Sequence, residues 1–263
     1  MGETTIHETA VIDPAAKIGD GTEIGPYCVV GAGVELGGNC RLHNQVTLSG
    51  PAKFGADNEF FPQCVIGGRT QDLKYEGEPT FLEAGDGNVF REFVTVNRGT
   101  SKDGKTLIGS NNLFLAYSHV AHDCLIADHV IFSNNGTVAG HVEVGDFVVL
   151  GGLSAVHQFC RLGAHAMTGG CAKIVQDIPP FMIADGNPAK LRGVNTVGLQ
   201  RRGFSESDVR ALKSAFRWLF RNTVGTMSER LASLRRRNEE EGGSAKVIEL
   251  IEFIEASERG VLQ

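Results

Sequence analysis

At 263 residues the chain has room for one large domain, or for one domain with a smaller appendage. A net charge of -6 and a pI near 5.8 argue against a nucleic-acid binder, which carries a basic face. No run approaches the roughly 18 apolar residues of a membrane span. The opening MGETTIHETA lacks the basic start and apolar core of a signal peptide, and Ile6 spoils a myristoylation pattern, so a cytoplasmic location is expected.

The 34 glycines are spread along the chain rather than gathered in linkers, which points to a repeated turn. From Ile6 an apolar residue returns at every sixth position through Ile12, Ile18, Ile24 and onward to Phe60 and Ile66. The rhythm resumes at Phe90 and Val96, then runs from Ile108 through Phe114, Val120, Val138 and Val156 to Ile174, with Thr168 its weak member. Excursions near residues 68–83 and 101–106 interrupt it. Neither a helix nor an amphipathic strand has this period; a parallel β-helix of stacked triangular coils does. Three hexads per coil place residue i above residue i-18, about 4.8 Å away. Cys28, Cys40, Cys64, Cys124 and Cys160 all fall at the small, inward fifth place, and Cys171 one place earlier, which suits buried thiols better than disulfides or zinc ligands.

The repeat stops at Asp177-Ile-Pro-Pro180, where consecutive prolines cannot donate to a ladder. The division expected is a β-helix over 1–192 and a small helical domain over 193–263. In the latter, Ser205 to Asp208 reads as a capping box opening a helix that runs to about Arg221. Further helices are expected over 228–238 and 245–258, the last with Val247, Ile248, Ile251 and Ile254 on one face.

All eight histidines avoid the inward places, and six lie between His119 and His165. The stacking step gathers His122, Gly140 and Gln158 in one column and Asp123 and His141 in the next, with His157 beside them and His119 a few residues off. A histidine backed by a carboxylate can take the proton of an attacking hydroxyl, and a glycine N–H beside it can receive an oxyanion. Without a GxSxG elbow, direct acyl transfer is the simpler chemistry. Two other readings stay open on the pattern alone: histidines packed at a subunit interface, or three histidines holding zinc in a hydro-lyase of γ-carbonic anhydrase type.

The segments AYSHVAHDC (116–124), SNNGTVAGHV (133–142), GGLSAVHQFCRLGAH (151–165), IGGRTQDLKYEGEPT (66–80), FREFVTVNRGT (90–100), GGCAKIVQDIPPF (170–181) and GVNTVGLQRRGFS (193–205) occur in the order and with the spacing of one family, from residue 66 to residue 205. They resemble the acyl-[acyl-carrier-protein]–UDP-N-acetylglucosamine O-acyltransferases, hexapeptide-repeat enzymes that open lipid A biosynthesis. The resemblance implies a left-handed parallel β-helix and a homotrimer with active sites between subunits. It implies an (R)-3-hydroxyacyl chain passing from the phosphopantetheine thioester of acyl carrier protein to the sugar 3-hydroxyl, with no cofactor and no metal. His122 would be the general base, supported by Asp123, with the Gly140 amide receiving the oxyanion. His119, His141 and His157 would line the sugar and acyl cleft, and Asp72 and Lys74 would bind sugar hydroxyls or phosphate. Gln158, Asn195 and Arg201 would hold the nucleotide, with Arg202 a neighbouring candidate. Gly170 takes the place of the acyl-chain ruler, where glycine leaves room for a longer chain. An acidic carrier needs a basic dock, and Lys213, Arg217 and Arg221, four apart, share one helix face with Arg210 nearby; an ordinary solvated face fits the same spacing. Val197 stands where an acidic residue often follows GVN, and Thr70 and Gly136 also depart from the family pattern. Such departures suit an N-acyltransferase acting on a UDP-linked 3-amino sugar as an alternative.

Overall fold

The computed structural model describes residues 2–221, 224–240 and 242–263. The chain visits three sheets in turn, of eleven, nine and eight strands among the described residues. Pairing along the coils is parallel, so Val120 pairs with Val138 and Val138 with Val156 in the second sheet. This is the left-handed parallel β-helix that the repeat and the resemblance led us to expect.

Each hexad place has its own physical task. First-place residues point inward, and along the first sheet they build an aromatic column. Phe60 and Phe90 stack at 5.2 Å, Phe90 and Phe114 at 5.0 Å, and Phe114 and Phe132 at 5.1 Å. Fifth-place residues fill the tight corner, which is why they are small. Cys28, Cys64, Cys124 and Cys160 have no exposed surface, Cys40 has almost none, and Cys171 is exposed. Several of the thiols donate to a carbonyl of the next coil, as Cys124 Sγ does to the Ala139 oxygen at 3.1 Å. Burial pushes the Cys124 thiol up to about 12. The fourth place was not legible as special: its backbone is left-handed, with φ near 60° at Tyr117, Asp123, His129, His141 and Phe159. The coil turns its corners there, at a steric cost that the surrounding ladder absorbs.

The excursions lengthen the step between coils. The ordinary separation across a rung is 18, as from Gln63 to Gln45. It becomes 30 across the first excursion, from Asn88 to Asn58, and 24 across the second, from His119 to Thr95. Both excursions leave from the corner between the second and third sheets, and the Arg98 N–H donates to the Gly68 carbonyl at 2.9 Å where they meet. That corner also carries His122.

Above the last coil an antiparallel hairpin, Met182–Asp185 with Lys190–Val194, extends the first sheet. Four α-helices follow among the described residues: α1 (Thr196–Arg201), α2 (Glu206–Phe216), α3 (Met227–Glu240) and α4 (Ala245–Glu255). Ser205 caps α2 by accepting from the Asp208 N–H at 3.1 Å, as its sequence led us to expect. The expected continuation to Arg221 is present but changes hand-hold: Arg217–Arg221 is a π-helical turn. The short α1 had no periodic signal. Asp177, almost wholly buried, ties the C-terminal tail to the last coil, accepting from the Arg161 N–H at 2.8 Å and the Ser257 hydroxyl at 2.7 Å.

Candidate active site

His122 occupies the third hexad place, just before a left-handed corner residue, so its ring lies along the outer wall. Its Nδ1 is 2.9 Å from Asp123 Oδ2, and the two side chains are only 13% and 10% exposed. An ionised carboxylate only accepts, so this contact puts the ring proton on Nδ1 and leaves the Nε2 lone pair free. Asp123 is itself held. Its carboxylate accepts from the Thr100 N–H at 3.0 Å, and its own N–H donates to Thr106 Oγ1 at 2.9 Å.

Gly140 lies one coil above, against the imidazole. A Cβ built there would stand 2.5 Å from His122 Nε2, so no larger residue fits without displacing the ring. The Gly140 carbonyl accepts from the Phe159 N–H at 3.2 Å, while its own N–H has no intramolecular partner among the described residues. A free amide beside a free imidazole nitrogen is what an acyl-transfer centre requires. His141 meets His122 edge to face at 5.2 Å and stacks on Phe159 at 4.7 Å, with Nε2 3.8 Å from Asp123 Oδ2. His119 bonds Thr95 Oγ1 through Nδ1 at 2.7 Å, and burial pulls its pKa below the ordinary imidazole value. Asp72 reaches in from the first excursion, Oδ2 lying 3.9 Å from His122 Nε2. Lys74 is exposed beside it, its N–H donating to Asp72 Oδ1 at 2.9 Å. His157 lies at the upper rim, where Nδ1 is 3.3 Å from the Arg259 guanidinium, and Gln158 beside it is exposed. A cleft of about 830 Å³ adjoins the cluster, lined by Asp123, His141, Phe159, Arg161 and Arg259 among others.

The remaining expected residues lie elsewhere on the chain. Asn195, Arg201 and Arg202 sit at the corner between the third and first sheets. Asn195 is buried as the cap of α1: its Oδ1 accepts from the Gly198 N–H at 3.1 Å and its Nδ2 donates to the His165 carbonyl at 3.0 Å. Arg202 lies over Phe147 at 4.2 Å, beside the column His129–Phe147–His165–Phe181. With Val197 and Arg201 it lines a second cavity of about 750 Å³ on the outer face of the first sheet. Gly170 is at the third corner, between the first and second sheets, where a Cβ would meet only the Gly152 carbonyl at 3.5 Å. Lys213, Arg217 and Arg221 are exposed, but the π turn rotates Arg221 away from a strict four-residue stripe, toward the Phe216 ring.

Two departures from the family pattern have packing explanations. Thr70 is buried against Thr100, at 2.8 Å between hydroxyls, and a side chain at Gly136 would press on Leu150. Phe159, one coil above His141, was within reach of the stacking rule. Thr100, Thr106 and Arg259 were not, because excursions and the tail have no period.

His122, Asp123 and His141 are the one trio of possible metal ligands among the described residues, their ligand atoms lying within 4.8 Å of one another. A three-histidine zinc site would need a further imidazole; His119 is engaged by Thr95, and His157 lies beside Arg259.

A family model described as UDP N-acetylglucosamine O-acyltransferase, domain 2, matches residues 177–262, and one for the bacterial transferase hexapeptide matches 3–38 and 15–50. An acyl-[acyl-carrier-protein]–UDP-N-acetylglucosamine O-acyltransferase of Burkholderia orbicola is 46% identical, covering 99% of this chain and 100% of its own. Its counterpart in Herminiimonas arsenicoxydans is 43% identical over 98% of this chain and 99% of its own. The solved UDP-N-acetylglucosamine O-acyltransferase of Moraxella catarrhalis superposes with a TM-score of 0.92 at 42% identity, covering 98% of this chain and 99% of that one. A UDP-N-acetylglucosamine acyltransferase of Bacteroides fragilis does so at 0.94 and 36% identity, covering 98% and 100%. Sequence likeness over nearly the full length and likeness of fold agree: the chain belongs to the acyl-[acyl-carrier-protein]–UDP-N-acetylglucosamine O-acyltransferase family.

Proposed function

We propose that this protein transfers an (R)-3-hydroxyacyl chain from acyl carrier protein to the 3-hydroxyl of UDP-N-acetylglucosamine, the first step of lipid A biosynthesis. The observation that carries the mechanism is the His122 ring lying on Gly140 with Asp123 behind it. His122 Nε2 takes the proton of the sugar hydroxyl as its oxygen attacks the thioester carbonyl. The carbonyl electrons move to oxygen, and the Gly140 N–H receives that oxyanion. Collapse expels the phosphopantetheine thiolate, which takes the proton back from Nε2. Asp123 fixes the ring and balances its charge between these steps. The chemistry needs neither a cofactor nor a metal, and Asp72 and Lys74 hold the sugar from the first excursion.

Nucleotide contacts from Asn195, Arg201 and Arg202 require a second copy, because these residues stand at a different corner from His122. Two surfaces favour a trimer. Outward residues of the first sheet, Leu113, Ile131, Val149 and Met167, form an apolar stripe. At the corner between the first and second sheets, Phe93, Tyr117 and Leu153 are 41%, 55% and 63% exposed, more apolar surface than a monomer keeps at one edge. With that corner at a threefold axis, the first sheet of one copy faces the second sheet of the next. The His122 margin then borders the neighbour's Arg201 and Arg202, and Gly170 lies toward the inner end of the cleft, where it leaves room for a long chain. Lys213, Arg217 and Arg221 remain the basic surface for the acidic carrier. No described helix is long and apolar enough to cross a membrane.

The test is product mass spectrometry with competing carrier-bound donors and with UDP-N-acetylglucosamine against its 3-amino analogue. An O-acylated UDP-sugar is expected, and His122→Ala should lose at least about 100-fold in turnover. Amide product alone, or undiminished turnover in the variant, would overturn the reading.

A further inference from the structure

The two excursions meet in a buried contact whose position relative to the reaction centre gives it a second role. Thr70 and Thr100 are 5% and 9% exposed, and their hydroxyl oxygens lie 2.8 Å apart. Each threonine also contacts one of the two aspartates that flank His122, Thr70 at the Asp72 backbone and Thr100 at the Asp123 carboxylate. Thr70 Oγ1 accepts from the Asp72 N–H at 3.1 Å. The Thr100 N–H donates to the Asp123 carboxylate at 3.0 Å. On the other side, His122 Nδ1 is 2.9 Å from Asp123 and Nε2 is 3.9 Å from Asp72. The five residues therefore close a ring, His122–Asp123–Thr100–Thr70–Asp72, whose only open span is the gap between Nε2 and Asp72. That gap is too long for a hydrogen bond and suits a substrate hydroxyl placed between base and carboxylate.

The bases of the excursions are tied independently. The Asn97 side-chain amide donates to the Arg69 carbonyl at 3.1 Å, and the Asp103 N–H donates to the Pro79 carbonyl at 2.9 Å. The loops would stay joined without the threonine hydroxyls, so the hydroxyl pair is not needed merely to keep them in place. Its distinctive effect is on the relative placement of Asp72 and Asp123.

We infer that the Thr70–Thr100 hydroxyl pair is a positioning device that couples the sugar-binding carboxylate, Asp72, to the carboxylate that orients the base, Asp123. Neither threonine touches the reacting atoms. The inference rests on the base role proposed for His122 and extends it: acceptor binding at Asp72 and orientation of His122 become one event.

Thr70→Val and Thr100→Val remove the hydroxyls and keep the Thr100 backbone N–H. With rates normalised to folded protein, each should lower kcat by about 10- to 100-fold, the cost of a slightly misplaced catalytic group. KM for the UDP-sugar should rise several-fold in the same variants, while KM for the carrier-bound donor stays unchanged. The double variant should be no worse than the poorer single one, because both break the same contact. Thr70→Ser, which retains the hydroxyl, should restore both constants. Unchanged constants in either Val variant, additive losses, or a Ser variant as poor as Val would overturn the coupling. Should the Val variants not fold, hydrogen exchange of the unaltered chain decides: adding the UDP-sugar must slow exchange at Asp72 and Thr100 together. Protection confined to residues 69–80 would sink the idea. Failure of the base reading looks different, since His122→Ala would then turn over normally whatever the threonines do.

Discussion

Gly140 shows how narrowly single residues are fixed at the proposed reaction centre. The imidazole of His122 occupies the space a side chain at 140 would need, with a built Cβ 2.5 Å from Nε2. Gly140→Ala must therefore swing the ring off its line with Asp123. We expect turnover to fall at least about 100-fold, as for other misplacements near 1 Å, with little change in thermal midpoint; an alanine variant of full activity would remove Gly140 from the site. His165 shows the opposite case, a histidine with structural work. It stacks between Phe147 and Phe181, and its Nδ1 is buried without a hydrogen-bond partner among the described residues. Burial, then the nearby Arg202 charge, hold its pKa below the ordinary value, and burial does the same at His119. In the unfolded chain both rings take protons below about pH 6.5, while in the fold they resist. The unfolded state binds more protons, so stability falls as pH drops through that range. His165→Phe should narrow the difference in thermal midpoint between pH 7.5 and 5.5; an unchanged or wider difference would remove His165 from the account.

Elements here are too short to be stable alone, since most strands have two residues and gain their order from the coil above and below. Phe90, fully buried between Phe60 and Phe114, should cost about 3–5 kcal/mol when cut to alanine. Ile12, half-buried near the open end, should cost clearly less in the same denaturant titration. Equal losses would mean the column is no special support. Such periodicity explains why so much was legible. The sixfold return of aliphatics gives the coil, and the step of eighteen brings His122, Asp123, Gly140 and His141 together without any coordinates. The rule fails where period is absent. Nothing in the spelling of residues 98–106 says that Thr100 and Thr106 will hold Asp123, because those contacts arise from loop closure. Arg259 meets His157 only because Asp177 ties down the tail. The capping box before α2 was readable, since a cap is local chemistry, whereas the π turn at Arg217–Arg221 reflects packing beneath it.

At the scale of the whole molecule, one chain holds the two proposed half-sites apart. His122 and Asp123 stand at the corner between the second and third sheets. Asn195, Arg201 and Arg202 stand between the third and first, with the width of the third sheet separating the two margins on the coil. In the proposed trimer, closed threefold symmetry would join them, each cleft taking its base from one copy and its guanidinium groups from the next. That arrangement has a consequence no monomeric site could share. Chains bearing His122→Ala should be nearly inactive, and chains bearing Arg201→Ala with Arg202→Ala should lose acceptor binding. When the two are co-expressed and assemble at random, a cleft with His122 from the arginine variant and arginines from the histidine variant is intact. Equal mixing makes that pairing arise in about one cleft in four, so the co-expressed population should recover about a quarter of full turnover. Mixing the separately purified, already assembled variants should recover almost none until subunits exchange. Co-expressed chains that stay as inactive as their parents, while light scattering shows mixed trimers, would place both half-sites on separate errands and undo the shared cleft.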